Sequence, residues 1–166
     1  MKRVVAIILV HLSALMAPGV FADESAFAGL FQRTVPLQPS GSGSFTVTAT
    51  LAGVEADFLL DTGASMVTLT RDVFEQVRAR GGVSEAGQVA ARTASGRLET
   101  LYTYRVEKFT LGECQLGPLE VAVLKRGGRN LLGMSALSRS APFAVSTTPP
   151  ALGLSHCGSE NHVAGR

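Results

Sequence analysis

Phe58-Leu59-Leu60-Asp61-Thr62-Gly63-Ala64-Ser65 decides the reading of this chain. Three apolar residues run straight into an acid, a β-branched hydroxyl residue and a glycine. An Asp in that position falls at a strand end and is partly buried. Burial disfavours a carboxylate, so such an acid needs hydrogen bonds or a partner. Gly63 lets the chain turn sharply and offers its backbone N–H close to the acid. Read alone, the stretch is equally an ordinary strand-ending turn, because Asp and Gly dominate turns. The surroundings have to decide.

Upstream, residues 45–51 alternate apolar and polar, as a half-buried strand does. Ala52-Gly53 supplies a turn, and residues 55–60 return as a second strand, so a hairpin feeds Asp61. Downstream, residues 66–69 read as a third strand. Thr70 is a capping residue for a helix over 71–80, with Val73, Phe74 and Val77 on one face. Gly81-Gly82 ends that helix. Strands over 89–93 and 98–106 are joined by the turn Ala94-Ser95-Gly96-Arg97. Short strands follow over 109–111, 119–124, 130–132, 143–145 and 152–154, with a short helix over 134–138. Ahead of residue 45, residues 34–37 suit a short edge strand, and Ser40-Gly41-Ser42-Gly43-Ser44 reads as a flexible connection. The expected fold is mainly β, with one or two short helices and no internal repeat.

The chain has 166 residues, room for one globular domain. Apolar residues make up 46% and charged residues 17%, too greasy and too weakly charged for a disordered chain. Lys2 and Arg3 precede an almost unbroken apolar run over 4–17, then Pro18-Gly19 and Val20-Phe21-Ala22. That layout is a secretory signal peptide over 1–22, cut after Ala22. A membrane span is the competing reading, but the run falls short of the roughly 20 residues a bilayer needs. The expectation is export to the periplasm or beyond, with no stable membrane anchor after cleavage. The remaining parts are then a leader and linker over 23–44, a domain over 45–157 and a tail over 158–166.

Losing Lys2 and Arg3 from the 15 basic residues leaves 13 against 13 acidic ones, a neutral mature chain. Such a chain has no electrostatic footprint for nucleic acid. Export favours disulfides, and the two cysteines, Cys114 and Cys157, make one bridge the simplest count. The chain-entropy model values that bridge at about 4 kcal/mol at most. A reactive or metal-binding thiol pair is the alternative, without a CxxC spacing to support it. The histidines His11, His156 and His162 lie in the signal or near the chain end, which argues against a His-based metal site or a Ser-His-Asp triad. The reading calls for no metal and no cofactor.

The run from Phe58 to Ala64 resembles the catalytic loop of the retropepsin-like aspartic proteases. A second signature of that family, two apolar residues and a glycine ahead of a short helix, stands here as Leu131-Leu132-Gly133, about 70 positions after Asp61. Between them lies a flap candidate, Ala94, Ser95 and Gly96, inside the stretch 93–98. The order of catalytic loop, helix, flap hairpin and apolar-apolar-Gly is similar to that of the exported bacterial members. The resemblance covers roughly residues 45–154.

That resemblance implies a small closed β-barrel and an aspartic endopeptidase. The chemistry needs two carboxylates that share a proton, and this chain has one Asp-Thr-Gly. It therefore implies a symmetric homodimer, Asp61 coming from each chain, and a peptide or protein substrate. Thr62 would hold the two loops together across the axis. Gly63 and Ala64 would shape the floor. Ser65 departs from the acid common in the viral members, which leaves substrate contacts there open. Ser95-Gly96 would close over the substrate. Two other classes compete: a non-catalytic peptide-binding module on the same fold, and a purely structural secreted β domain. The intact Asp61, Thr62 and Gly63 favour the enzyme over both.

Overall fold

The first hairpin follows from its alternation. The computed structural model describes residues 24–41, 43–92 and 96–158. In it β3 (Phe45–Leu51) buries Val47, Ala49 and Leu51, while Thr48 stays exposed. β3 pairs antiparallel with β4 (Val54–Leu60), which buries Val54 and Phe58. The connecting turn has positive φ at both Ala52 (47°) and Gly53 (83°), the backbone that matches the twist of a tight hairpin. After the Asp61 turn come β5 (Val67–Leu69) and the helix Arg71–Arg80. That helix buries Phe74 and Val77 on one face, as the spacing predicts.

The other strands add to the same sheet. β6 (Val83–Arg92) pairs with β7 (Leu98–Val106), and β8 (Phe109–Leu111) pairs with β3 and β9 (Cys114–Gln115). β10 (Leu119–Val123) lies between β7 and β5, and β11 (Leu131–Leu132) between β5 and β4. The path runs β6-β7-β10-β5-β11-β4-β3-β8-β9, and β2 (Gln38–Pro39) joins at β3. Among the described residues this pairing is an open path, where the sequence reading expects a closed barrel. A second sheet of order β1-β13-β12 uses Arg33–Pro36, Pro150–Leu154 and Phe143–Thr147. Short helices at Glu24–Ala28 and Met134–Leu137 complete the chain; we number the three α-helices α1 to α3, α2 being Arg71–Arg80. A 3-10 turn, Ser138–Ser140, follows α3.

The two sheets share one core. Phe58 and Phe109 meet edge to face at 6.0 Å, and Val35, Leu37, Leu152 and Leu154 from the terminal segments are buried in the same cluster. The structure joins Cys114 to Cys157, which ties β9 to the chain beyond β13. Gly158 then donates its N–H to the Gln115 carbonyl at 3.1 Å. No helix of the described residues is long and apolar enough to cross a membrane. The signal-peptide stretch 1–22 lies outside the described residues, as do residues 159–166 of the tail.

Local expectations shift in four places. β6 begins at Val83, six residues before the expected start, because pairing with β7 carries it through Ser84-Glu85-Ala86-Gly87-Gln88 with a bulge at Glu85/Gly87. The strands β2 and β9 and the helix α1 are additions to the expected elements; the two strands are two residues long and exist through pairing with β3 and β8, and α1 spans five residues. Thr70 stands at the N-cap of α2, but its side chain makes no capping hydrogen bond. Within the stretch read as leader and linker, Phe31 packs over Gly153, where a Cβ would lie 2.3 Å from the ring.

Candidate active site

Asp61 follows the last residue of β4 and is half-buried. Its backbone N–H donates to the Leu132 carbonyl at 3.1 Å, and its Oδ1 accepts the Gly63 N–H at 2.9 Å. A Cβ at Gly63 would stand 3.2 Å from that same Oδ1, tighter than ordinary van der Waals contact. Glycine therefore both supplies the donor and leaves the carboxylate room. Ala64 donates to the Asp61 carbonyl at 3.2 Å and closes the turn. Thr62, Gly63 and Ser65 are exposed, and Ala64 is half-buried.

The second signature lies directly against this loop. β11 runs parallel to β4, with Leu131 beside Leu59 and Leu132 beside Leu60, and antiparallel to β5 through Leu131 and Thr68. Leu132 is fully buried and Leu131 half-buried. Met134 donates to the Ala64 carbonyl at 2.8 Å, and Ser135 to the Ser65 carbonyl at 2.9 Å. A Cβ at Gly133 would fall 2.2 Å from the Met66 carbonyl oxygen and 2.7 Å from that of Ala64. Only glycine fits that crossing, which is why the apolar pair ends in one. The structure thus brings Asp61, Thr62, Gly63, Ala64 and Ser65 together with Leu131, Leu132 and Gly133.

Two residues beyond that set complete the scaffold. Asn130 accepts the Thr70 N–H on Oδ1 at 2.8 Å, donates from Nδ2 to the Asp57 carbonyl at 3.0 Å, and takes the Leu59 N–H on its own carbonyl at 2.9 Å. It therefore ties the N-cap residue of α2 to β4 and β11, although it takes the N–H of Thr70 itself and not the helix N–H groups that a Thr70 side-chain cap would accept. Ser135 Oγ accepts the Val67 N–H at 3.0 Å. Their only sequence signal is an amide just before the apolar pair and a hydroxyl just after its glycine.

Of the flap candidate, Ala94 and Ser95 lie outside the described residues. Gly96 stands at the open end of the β6–β7 hairpin with φ 81°, and its carbonyl accepts a hydrogen bond from Arg92 Nη1 at 3.1 Å. Tyr102 and Tyr104 lie on β7, and Tyr104 packs on Phe74 with ring centroids 4.3 Å apart. Among the described residues no group of three or more His, Cys, Asp or Glu is placed to hold a metal.

Residues 47–136, more than half of the chain, match the profile of a family described as aspartyl protease. An uncharacterized protein of Sinorhizobium sp., from the cobV 5' region, is 32% identical over 112 residues. That match takes in 64% of this chain and 46% of the relative, so the chain spans about half the length of the curated relative it matches. Among solved structures, a retropepsin-like aspartic protease from Rickettsia conorii superposes with a TM-score of 0.54 at 20% identity, over 74% of this chain and 90% of that one. The EIAV protease, complexed with the inhibitor HBY-793, gives 0.48 at 14% identity, over 61% and 91%.

Proposed function

Because the chain belongs to the aspartyl protease family, we propose that it is an exported aspartic endopeptidase whose active site forms between two copies. The observation that supports this reading is the Asp61 loop. A half-buried carboxylate sits at a strand end, takes the Gly63 N–H, and is backed by Leu131-Leu132-Gly133. One chain offers a single such loop, and the chemistry takes two carboxylates. A two-fold axis through the loops would bring Asp61 of each chain into one site.

Two carboxylates that close cannot both ionise easily, so the pair holds one proton between them. In this reading the ionised Asp61 removes a proton from a water as its oxygen attacks the scissile carbonyl carbon. The protonated Asp61 of the partner subunit hydrogen-bonds the carbonyl oxygen and neutralises the developing charge. A proton then passes to the amide nitrogen, the C–N bond breaks, and the products are a carboxylic acid and an amine. The Gly63 N–H, donating to Oδ1, orients each Asp61 carboxyl. Thr62, exposed on the loop, would join the two loops, and the hairpin end with Ala94, Ser95 and Gly96 would cover the substrate. Closure of the twisted sheet into a small barrel belongs to the same proposal.

Export rests on the layout of residues 1–22 and accords with the Cys114–Cys157 bridge. The test is direct. The chain from residue 23 is purified, its mass in solution is measured, and peptide cleavage is assayed beside Asp61→Asn. A dimer whose cleavage disappears with Asp61→Asn supports the proposal. Cleavage by the variant, with contaminating proteases excluded, would remove Asp61 from the mechanism. Because activity needs the singly protonated pair, the rate should follow a bell against pH.

A further inference from the structure

A second concave site lies on the other face of the sheet. Tyr102 and Tyr104 on β7 pair with Val123 and Val121 on β10, which pair with Leu69 and Val67 on β5. Paired residues share a face and neighbours alternate, so this face is opposite the one carrying Thr68 and Leu131, which leads to Asp61. Helix α2 covers only part of it. At the edge of that cover is a cleft of about 220 Å³, floored by Phe74, Tyr102, Tyr104 and Val123 and rimmed by Arg71 and Lys125. Its volume is below the roughly 300–1,000 Å³ of pockets for drug-sized ligands. It suits one apolar side chain.

Its walls are apolar and its rim is cationic. Arg71 and Lys125 are both exposed, and Arg126 follows Lys125 in the chain. Lys125 makes no ion pair among the described residues. Glu75 is one acid beside the rim. It bonds Arg78 at 2.6 Å and stands 3.9 Å from Arg71, so its charge is mostly taken by Arg78. Glu85 stands across from Tyr104 on β6, and Asp72 follows Arg71 on α2. From the cleft the uncovered face continues along the hairpin through Tyr102, which is 47% exposed and paired with Gln88, and Thr100 paired with Ala90, to Leu98, which is 67% exposed and paired with Arg92. The cleft, apolar inside and flanked by two cations, is complementary to a last residue that has an apolar side chain and a carboxylate, and the mixed face beyond it is open to the residues that precede.

We propose that this cleft is a binding site, separate from Asp61, for the C-terminal residue of a peptide. An apolar side chain fills the space between Phe74 and Tyr102. The terminal carboxylate is held by Arg71 and Lys125, and the preceding residues lie over Thr100 and Leu98. A peptide is favoured over a free organic acid because the open face extends well past a one-residue cleft. Occupancy would bear on β7, the strand that also forms the flap hairpin.

The test reads binding, so its outcome does not depend on whether the chain cleaves anything. Full-length protein carrying Asp61→Asn is titrated by NMR with N-acetyl-Ala-Ala-Phe, with its C-terminal amide, and with 3-phenylpropionate. The expected result is saturable shifts at Tyr102 and Tyr104 with the free acid, and binding roughly tenfold weaker for the amide, the scale of one charge-assisted bond. Arg71→Gln with Lys125→Gln should weaken the acid and leave the amide unchanged. Leu98→Ala should weaken the tripeptide and not phenylpropionate. Both sets of substitutions are at exposed positions, so the fold survives them. Equal affinity of acid and amide, shifts confined to Met66, Thr68 and Leu131, or no shift at all would overturn the proposal. So would phenylpropionate binding as tightly as the tripeptide, or shifts that appear when the protein alone is concentrated, which would make the cleft a contact between copies.

Discussion

The Asp61 loop and the β6–β7 hairpin are both strand ends that turn back on themselves, yet they are held in different ways. The loop is gripped from outside. Residues 130–135 bond to Asp57, Leu59, Asp61, Ala64, Ser65, Val67 and Thr70, roughly sixty to seventy positions away. Beneath it Phe58, Val67, Leu69 and Leu132 are fully buried. The hairpin is held mainly by its own ladder. β6 contains no fully buried residue, and β7 buries only Leu101, Thr103 and Val106. The difference teaches what each part can do. A carboxylate that must meet its partner to within a fraction of an ångström needs a floor fixed by distant contacts. In the proposed enzyme the hairpin would be a cover that opens and closes, and such a cover needs a strand pair with little burial to lose.

The largest effect expected is on activity. Asp61→Asn keeps an oxygen that can accept the Gly63 N–H, so its melting temperature should stay within a few degrees of the wild type. Its peptide cleavage should fall at least about a hundredfold, the low end for loss of a general acid–base group. A calorimetric scan beside a peptidase assay checks both halves.

Stability should then divide along the same line. Phe58→Ala removes a fully buried ring from under the loop and should cost about 3–5 kcal/mol in urea unfolding. Val89→Ala, on the half-exposed outer strand of the hairpin, should cost under about 1 kcal/mol. Similar losses at the two positions would break the comparison.

Gly133→Ala pushes a methyl group into the Met66 and Ala64 carbonyls. We expect about 3 kcal/mol of destabilisation, at the upper end for overpacking, and loss of cleavage as the loop shifts. Asn130→Ala should cost about 1–3 kcal/mol, because it leaves the Thr70 N–H without its acceptor. The crystal structure of that variant should show the start of α2 displaced while the β6–β7 pairing is unchanged.

Much of this was legible in the sequence, and the exceptions have physical causes. Residues 45–60 alternate cleanly, so the first hairpin and the strand end at Asp61 follow from periodicity. The Asp-Thr-Gly turn and Leu131-Leu132-Gly133 carry their own constraints, since Gly63 lies close to the Asp61 carboxylate and Gly133 lies where two backbones meet. The early half of β6 was not legible. Ser84-Glu85-Ala86-Gly87-Gln88 has no apolar alternation, and β7 alone draws it into the sheet. Asn130 was passed over because its partners, Thr70 and Asp57, are 60 and 73 positions away. A single sequence shows local pattern, not which distant amide will tie the start of a helix to the sheet. The packing of Phe31 on Gly153 is hidden for the same reason.

The central claim is that one active site is shared by two chains, and subunit mixing tests it most directly. Wild-type protein is combined with an equal amount of Asp61→Asn, allowed to exchange, and assayed for peptide cleavage per wild-type chain. If every active site needs Asp61 from both chains, random exchange leaves half of the wild-type chains in mixed, inactive dimers. Activity per wild-type chain should then fall to about half and keep falling as the variant is raised. Activity per wild-type chain that does not change at any ratio, with exchange shown by mass spectrometry, would contradict the shared site.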